Sequence, residues 1–207
     1  NLLYIHGVKF TSTFFGGLFN LSKNLKYKVE ELQRPILSFD IRYKFENSDK
    51  YILKNISFKI NKGEYIGIVG KTGSGKSTLI DLITGLIEPS SGSANVNNIN
   101  INRYENWKTK IGYVPQFIYL TDDTLKKNIA FGLDENEIDE NQVLKSIDQA
   151  NLNYFLKNLE NGIDEILGER GVKISGGEMQ RIGLSRAIYN DPELLIFDEF
   201  TSSLDFK

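Results

Sequence analysis

Nine consecutive residues, Gly70-Lys71-Thr72-Gly73-Ser74-Gly75-Lys76-Ser77-Thr78, narrow the possible folds of this chain more than any other feature. They match the pattern G-x-x-x-x-G-K-S/T. A short apolar run, Tyr65-Ile66-Gly67-Ile68-Val69, leads into them, and Leu79, Ile80, Leu82, Ile83 and Leu86 follow at helical spacing until Pro89-Ser90-Ser91-Gly92. Strand, glycine loop and helix in that order predict an α/β fold in which the apolar run is buried on both faces of a parallel sheet. Gly70, Gly73 and Gly75 let the backbone come close enough for successive amides to point at phosphate oxygens. Lys76 reaches the β- and γ-phosphates, Ser77 offers a hydroxyl to Mg²⁺, and the helix that begins there turns its positive end to the anion. With Lys71, Thr72, Ser74 and Thr78 completing the cradle, the loop predicts a bound nucleoside triphosphate, ATP, with Mg²⁺.

A nucleotide held this way also needs its metal anchored and its water activated by carboxylates at the tip of a neighbouring strand. Leu194-Leu195-Ile196-Phe197 reads as a second buried strand, and Asp198-Glu199 ends it. Asp198 is the expected second metal anchor, and Glu199 the general base. A bare helix cap is the plainer use of such a pair, and the loop upstream argues against it.

The rest of the chain fits around this core. Residues 1–35 are mixed in character, Pro35 marks a boundary, and 36–207 form the nucleotide-binding domain. Within it, 36–60 reads as an antiparallel β-lobe, with Ile56, Phe58 and Ile60 alternating and Asn61-Lys62-Gly63 supplying a turn. From about 117 to 185 a helical lobe is expected, on spacings such as Val143, Ile147, Ala150 and Leu152, Phe155, Leu159. The acidic run Asp134 to Glu140 lacks the regular spacing and glycine of a calcium loop and reads as a solvated face.

Composition excludes several classes. The 207 residues suffice for one core with a smaller lobe. A net charge of −2 offers no broad positive field for nucleic acid. Without cysteine there are no disulfides or thiolate metal sites. No run of about 18 apolar residues spans a membrane, since His6 and Lys9 interrupt the stretch Leu2 to Phe19. The chain starts at Asn1 rather than Met and is expected to be part of something longer.

A third element resembles a known family. Ile174-Ser175-Gly176-Gly177-Glu178 is similar to the LSGGQ-type signature of ABC (ATP-binding cassette) proteins, with Ile and Glu at its first and last positions. A Ser-Gly-Gly turn opening a helix is a second anion-binding helix end, which makes sense if it serves a nucleotide on a partner subunit. The resemblance covers nearly all of 36–207. It implies that Gln116 touches the metal or the water and senses a transmembrane partner, and that Asp205, in Ser203-Leu204-Asp205, reaches across a dimer. Phe45, 25 residues before Gly70, matches the position of an adenine-stacking aromatic, with Tyr43 the fallback. Leu167-Gly168-Glu169-Arg170-Gly171 resembles a segment of exporters with fused membrane spans, where Glu169 would contact an intracellular loop. The runs Ile118 to Thr124 and Asn128 to Gly132 are most similar to exporters and flippases of lipid-linked glycans.

The resemblance therefore implies a dimer with two composite ATP sites, joined to a transmembrane domain in the same full-length chain at the cytoplasmic face of a membrane, and driving export or flipping. Alternatives are a separate importer subunit, or a nucleotide-binding module with little turnover. A soluble DNA-repair ATPase of the family would need a long coiled coil, and fewer than 100 residues separate Thr78 from Ser175. The family's switch histidine would lie beyond Lys207, since His6 is an incidental linker residue. The domain is expected to be truncated at its C-terminus, with weak turnover by itself.

Overall fold

The computed structural model describes residues 2–5, 8–11, 37–46, 48–61, 63–168 and 174–198. They fall into two compact units, one holding the two N-terminal strands with 37–108 and the other holding 109–198.

In the first unit, β1 (Leu2–Ile5) pairs antiparallel with β2 (Val8–Thr11). The β-lobe is a four-stranded antiparallel sheet in the order β4-β3-β6-β7, built from β3 (Leu37–Tyr43), β4 (Leu53–Ile60), β6 (Ser91–Val96) and β7 (Ile99–Asn100). Period-two alternation buries Leu37, Phe39 and Ile41 and leaves Asp40 and Arg42 exposed. Phe39 stacks on Phe58 with ring centroids 4.5 Å apart. On β4 the buried pair is Leu53 and Ile56, three residues apart, where strict alternation would put them on opposite faces. A β-bulge reconciles them: Ile41 and Tyr43 pair with Ile56 and Leu53, so one extra residue is accommodated, and Asn55 takes φ 51°.

Strand β5 (Gly67–Gly70) precedes the glycine loop, and helix α1 (Lys76–Thr84) follows it. The order is the one expected, but the setting of the strand is not. β5 is hydrogen-bonded antiparallel to β2 in the three-stranded sheet β1-β2-β5, and Tyr65 and Val69 are 61% and 50% exposed. An apolar run shows only that a strand can be covered on both faces, and among the described residues none lies parallel to β5. The helix also stops short of Leu86. Gly85 adopts φ 71° as its C-cap, so Leu86 lies past the last turn and is 65% exposed. Inside the unit, Trp107 Nε1 donates to Ile83 O at 3.0 Å, so the buried indole has its partner.

The second unit contains the parallel pairing. β8 (Ile111–Val114) and β9 (Leu194–Phe197) run in register from Ile111 beside Leu194 to Val114 beside Phe197. Around them lie α2 (Leu125–Ile129), α3 (Glu140–Gln149), α4 (Asn153–Lys157) and α5 (Gly176–Ile188). Val143, Ile147, Ala150, Leu152, Phe155 and Leu159 are all buried in one core with Val114, Leu125, Ile129 and Ile182, as their spacing predicts. Burying each large aliphatic side chain contributes about 1.5–3 kcal/mol relative to leaving it in water.

Buried Asn128 ties this lobe together. Its Nδ2 donates to the carbonyls of Thr121, Asp123 and Thr124, and its Oδ1 accepts from Thr121 N at 2.9 Å. Arg186 Nε donates to Asn128 O at 2.7 Å, and burial holds its pKa below the ordinary arginine value. The acidic run is a polar face: Asp139 caps α3 through Asn141 N and Gln142 N, while Glu135 and Glu140 pair with Lys126, which also meets Asp164 at 2.8 Å. Hydrogen bonds that Lys126 donates to Asp164 and then to Glu135 hold it above the usual lysine pKa.

Gly112 lets β8 and α5 approach each other. A Cβ there would stand 2.3 Å from the backbone oxygen of Ala187, an atom that cannot rotate away. Gly112→Ala is expected to destabilise the protein by about 3 kcal/mol, read as a lower urea midpoint with unchanged slope. A shift below about 0.5 kcal/mol would show that the strand and helix do not meet this closely.

Candidate nucleotide site

The glycine loop is shaped by its own backbone and by the β-lobe. Gly73 and Gly75 have φ of 77° and 92°, a region L-residues avoid. Gly75 has a second constraint, because a Cβ would come within 2.8 Å of Leu53 Cδ2 and 3.0 Å of Ile52 Cγ2. The loop closes on itself through Ser74 N, which donates to Lys71 O at 3.1 Å. Lys76 Nζ reaches back across it, donating to Gly70 O at 2.9 Å and Lys71 O at 3.2 Å. Ser74 Oγ is buried with no hydrogen-bond partner, an expensive arrangement unless a further acceptor arrives.

The helix end at this loop is open to an anion. Gly75 is the N-cap of α1, no side chain caps it, and its first turn holds no acidic residue. Its positive end therefore faces outward uncompensated, in the first turn where the dipole is felt. Ser77 is exposed and Thr78 half-buried in that turn. This backbone, one lysine and an orphaned hydroxyl fit a polyphosphate, and an exposed hydroxyl beside it fits the oxygen-loving Mg²⁺.

The signature helix α5 is built the opposite way. Ser175 is its N-cap and accepts from Glu178 N at 3.3 Å, while Glu178 Oε2 takes hydrogen bonds from Ser175 N at 2.8 Å and Ser175 Oγ at 2.7 Å. The Glu at the last signature position thus completes a capping box and places the chain's own carboxylate on the N-terminus of this helix. Gly176 and Gly177 form the first turn.

At the end of the parallel pair, Asp198 N donates to Val114 O at 3.0 Å, extending the ladder by one step. Tyr113 Oη donates to Asp198 Oδ2 at 3.1 Å. Gln116 follows β8 and is exposed. In the β-lobe, Tyr43 and Phe45 meet edge to face at 5.5 Å, with Phe45 55% exposed and Tyr43 half-buried. Glu199, Asp205 and Glu169 lie outside the described residues, as does His6. No local pattern signals the contact of Tyr113 with Asp198; the one hint is that Tyr113 stands three residues before Gln116.

By class, strand, glycine loop, uncapped helix and back-reaching lysine define a P-loop nucleotide-binding domain. The family model described as ABC transporter matches residues 53–202. An ATP-dependent lipid A-core flippase of Coxiella burnetii (strain RSA 493 / Nine Mile phase I) is 38% identical over 167 residues, covering 80% of this chain and 28% of the flippase. The uncharacterised ABC transporter ATP-binding protein YfiB of Bacillus subtilis (strain 168) is 38% identical over 169 residues, covering 81% of this chain and 29% of that protein. Among solved structures, a bacterial Atm1-family ABC exporter with ATP bound is similar at TM-score 0.67 and 29% identity, over 84% of this chain and 31% of that one. The chain belongs to the ABC transporter family and is an ATP-binding domain of it. It spans less than a third of the length of each of these relatives.

Proposed function

We infer that the chain hydrolyses ATP in an Mg²⁺-dependent reaction and that this drives the export or flipping of a substrate across a membrane. The observation that carries the reading is the loop of Lys76 and the uncapped α1, which offers positive charge and amides to an anion and no side chain of its own. Lys76 exchanges its bonds to Gly70 O and Lys71 O for phosphate oxygens, and the amides of the loop through Thr78 hold the remaining charge. Ser77, Asp198 and Gln116 would hold Mg²⁺, and the ion would supply neutralisation of the phosphate charge. Glu199 removes the proton from the attacking water. Phe45 stacks on adenine, its exposure favouring it over Tyr43.

The second anion-binding end belongs to a partner's nucleotide in this reading. Ser175, Gly176, Gly177 and Glu178 of one copy, with Asp205, complete the site of another, and Ser175 leaves the Glu178 carboxylate as a γ-phosphate takes its place. The transmembrane domain lies in the same full-length protein, and this domain works on the cytoplasmic face. Residues 1–35 would then lead in from the membrane domain, although β1 and β2 within them are hydrogen-bonded into the sheet of β5. Similarity to lipid A-core flippases over 80% of the chain supports a lipid-linked glycan as the substrate class.

Proteoliposomes containing the full-length protein and a fluorescent lipid-linked saccharide test this. ATP with Mg²⁺ should increase the dithionite-protected or dithionite-accessible fraction over the nucleotide-free rate. Hydrolysis without any movement of lipid or of soluble cargo would overturn the transport reading.

A further inference from the structure

At the end of the parallel strand pair, a phenol meets the carboxylate assigned to the metal. Strand period sends Gly112 and Val114 inward, with Gly112 against the Ala187 backbone of α5, so Tyr113 stands on the opposite face and is 42% exposed. Tyr113 is paired with Ile196, and Ile196 and Asp198, two residues apart, project from one face. A phenol is long enough to reach from that position to the carboxylate, and Tyr113 Oη meets Asp198 Oδ2 at 3.1 Å. The backbone of Asp198 is fixed too, since its N–H donates to Val114 O at 3.0 Å.

An aspartate at the tip of a strand has two side-chain torsions free unless something restrains them. Here the main chain is tied by Val114 and one carboxylate oxygen by Tyr113, so Oδ1 is left as the oxygen to face a cation or its water. Groups that orient a metal-binding carboxylate from outside the coordination shell govern how well it binds. We propose that Tyr113 is a positioning residue for the metal: its hydroxyl sets the rotamer of Asp198 and thereby tunes the affinity for Mg²⁺ in the nucleotide complex. The proposal rests on the assignment of Asp198 as a metal anchor, and its test separates the two.

The measurement is equilibrium binding of Mn²⁺, as a paramagnetic stand-in for Mg²⁺, to the full-length protein with saturating AMP-PNP, read by electron paramagnetic resonance. AMP-PNP affinity in EDTA is measured alongside. Tyr113→Phe keeps the ring and removes only the hydroxyl, and is expected to weaken Mn²⁺ about tenfold while metal-free AMP-PNP affinity stays within twofold. Tyr113→His, which retains an N–H donor on a ring, should recover part of that loss. Asp198→Asn should weaken Mn²⁺ more than Tyr113→Phe does. If Asp198→Asn weakens Mn²⁺ and Tyr113→Phe leaves it unchanged, the positioning role is overturned and the anchor stands. If Asp198→Asn has no effect, the anchor assignment falls and takes this proposal with it. An equal loss of metal-free AMP-PNP affinity in Tyr113→Phe would show a merely structural part and would also overturn it.

Discussion

Lys76→Ala is expected to lower ATP affinity by about 10²- to 10³-fold, the equivalent of one or two charge-assisted hydrogen bonds to phosphate. The change removes the ammonium that reaches back across the loop, and no side chain caps the start of α1 to take its place. It also releases the loop, because Lys76 Nζ is what joins Gly70 O and Lys71 O. These two losses have different signatures. Loosening the nucleotide-free loop costs on the order of 1 kcal/mol of stability and shows as a small drop in melting temperature without ligand. Loss of the phosphate contact removes the further stabilisation that ATP confers by mass action. Isothermal titration with ATP, paired with thermal unfolding with and without nucleotide, distinguishes them. Affinity within threefold of the unsubstituted protein would mean that this loop does not hold the phosphates.

The second large effect concerns turnover. Glu199→Gln keeps shape and hydrogen-bonding capacity but cannot accept a proton, so hydrolysis should fall by about 10²- to 10⁴-fold, the range a positioned general base contributes. ATP affinity should not fall, since Glu199 is not assigned to the phosphates. If the proposed dimer opens on hydrolysis, it should then persist, and light scattering with ATP and Mg²⁺ should report a doubled mass for the separated domain or a closed state of the full-length protein. Its neighbour Asp198 is held at the end of the β8–β9 ladder by its N–H, which donates to Val114 O. Hydrolysis retained above about a tenth of the original rate would assign the base elsewhere.

Strong local periodicity is legible in the amino-acid sequence itself. Leu37, Phe39 and Ile41 alternate and are buried, and the helical spacing from Val143 to Leu159 is the core of the second unit. Local patterns fail where the deciding partner is remote. The run Tyr65 to Val69 suggests a strand covered on both faces, yet strand β2 is its hydrogen-bonded neighbour and half of Val69 faces solvent. Leu86 continues a helical pattern that Gly85 ends, because a glycine at φ 71° costs little and closes the last turn. Leu53 and Ile56 share an interior only because of the bulge at Asn55, which no alternation rule contains.

The candidate site divides along the same line. The phosphate loop is specified locally, because its chemistry lies in nine contiguous residues whose glycines, lysine and hydroxyls act through one turn of backbone. The family is suggested by a short segment, Ile174 to Glu178, and shown by a match over residues 53–202. Folding in three dimensions supplies the rotamer that lays Glu178 over the donors of Ser175, and it brings Tyr113 to Asp198 across 85 residues of chain. The first contact depends on side-chain rotamer, and the second on the register of two parallel strands as well. Register is a property of the assembled sheet, and neither strand carries it alone.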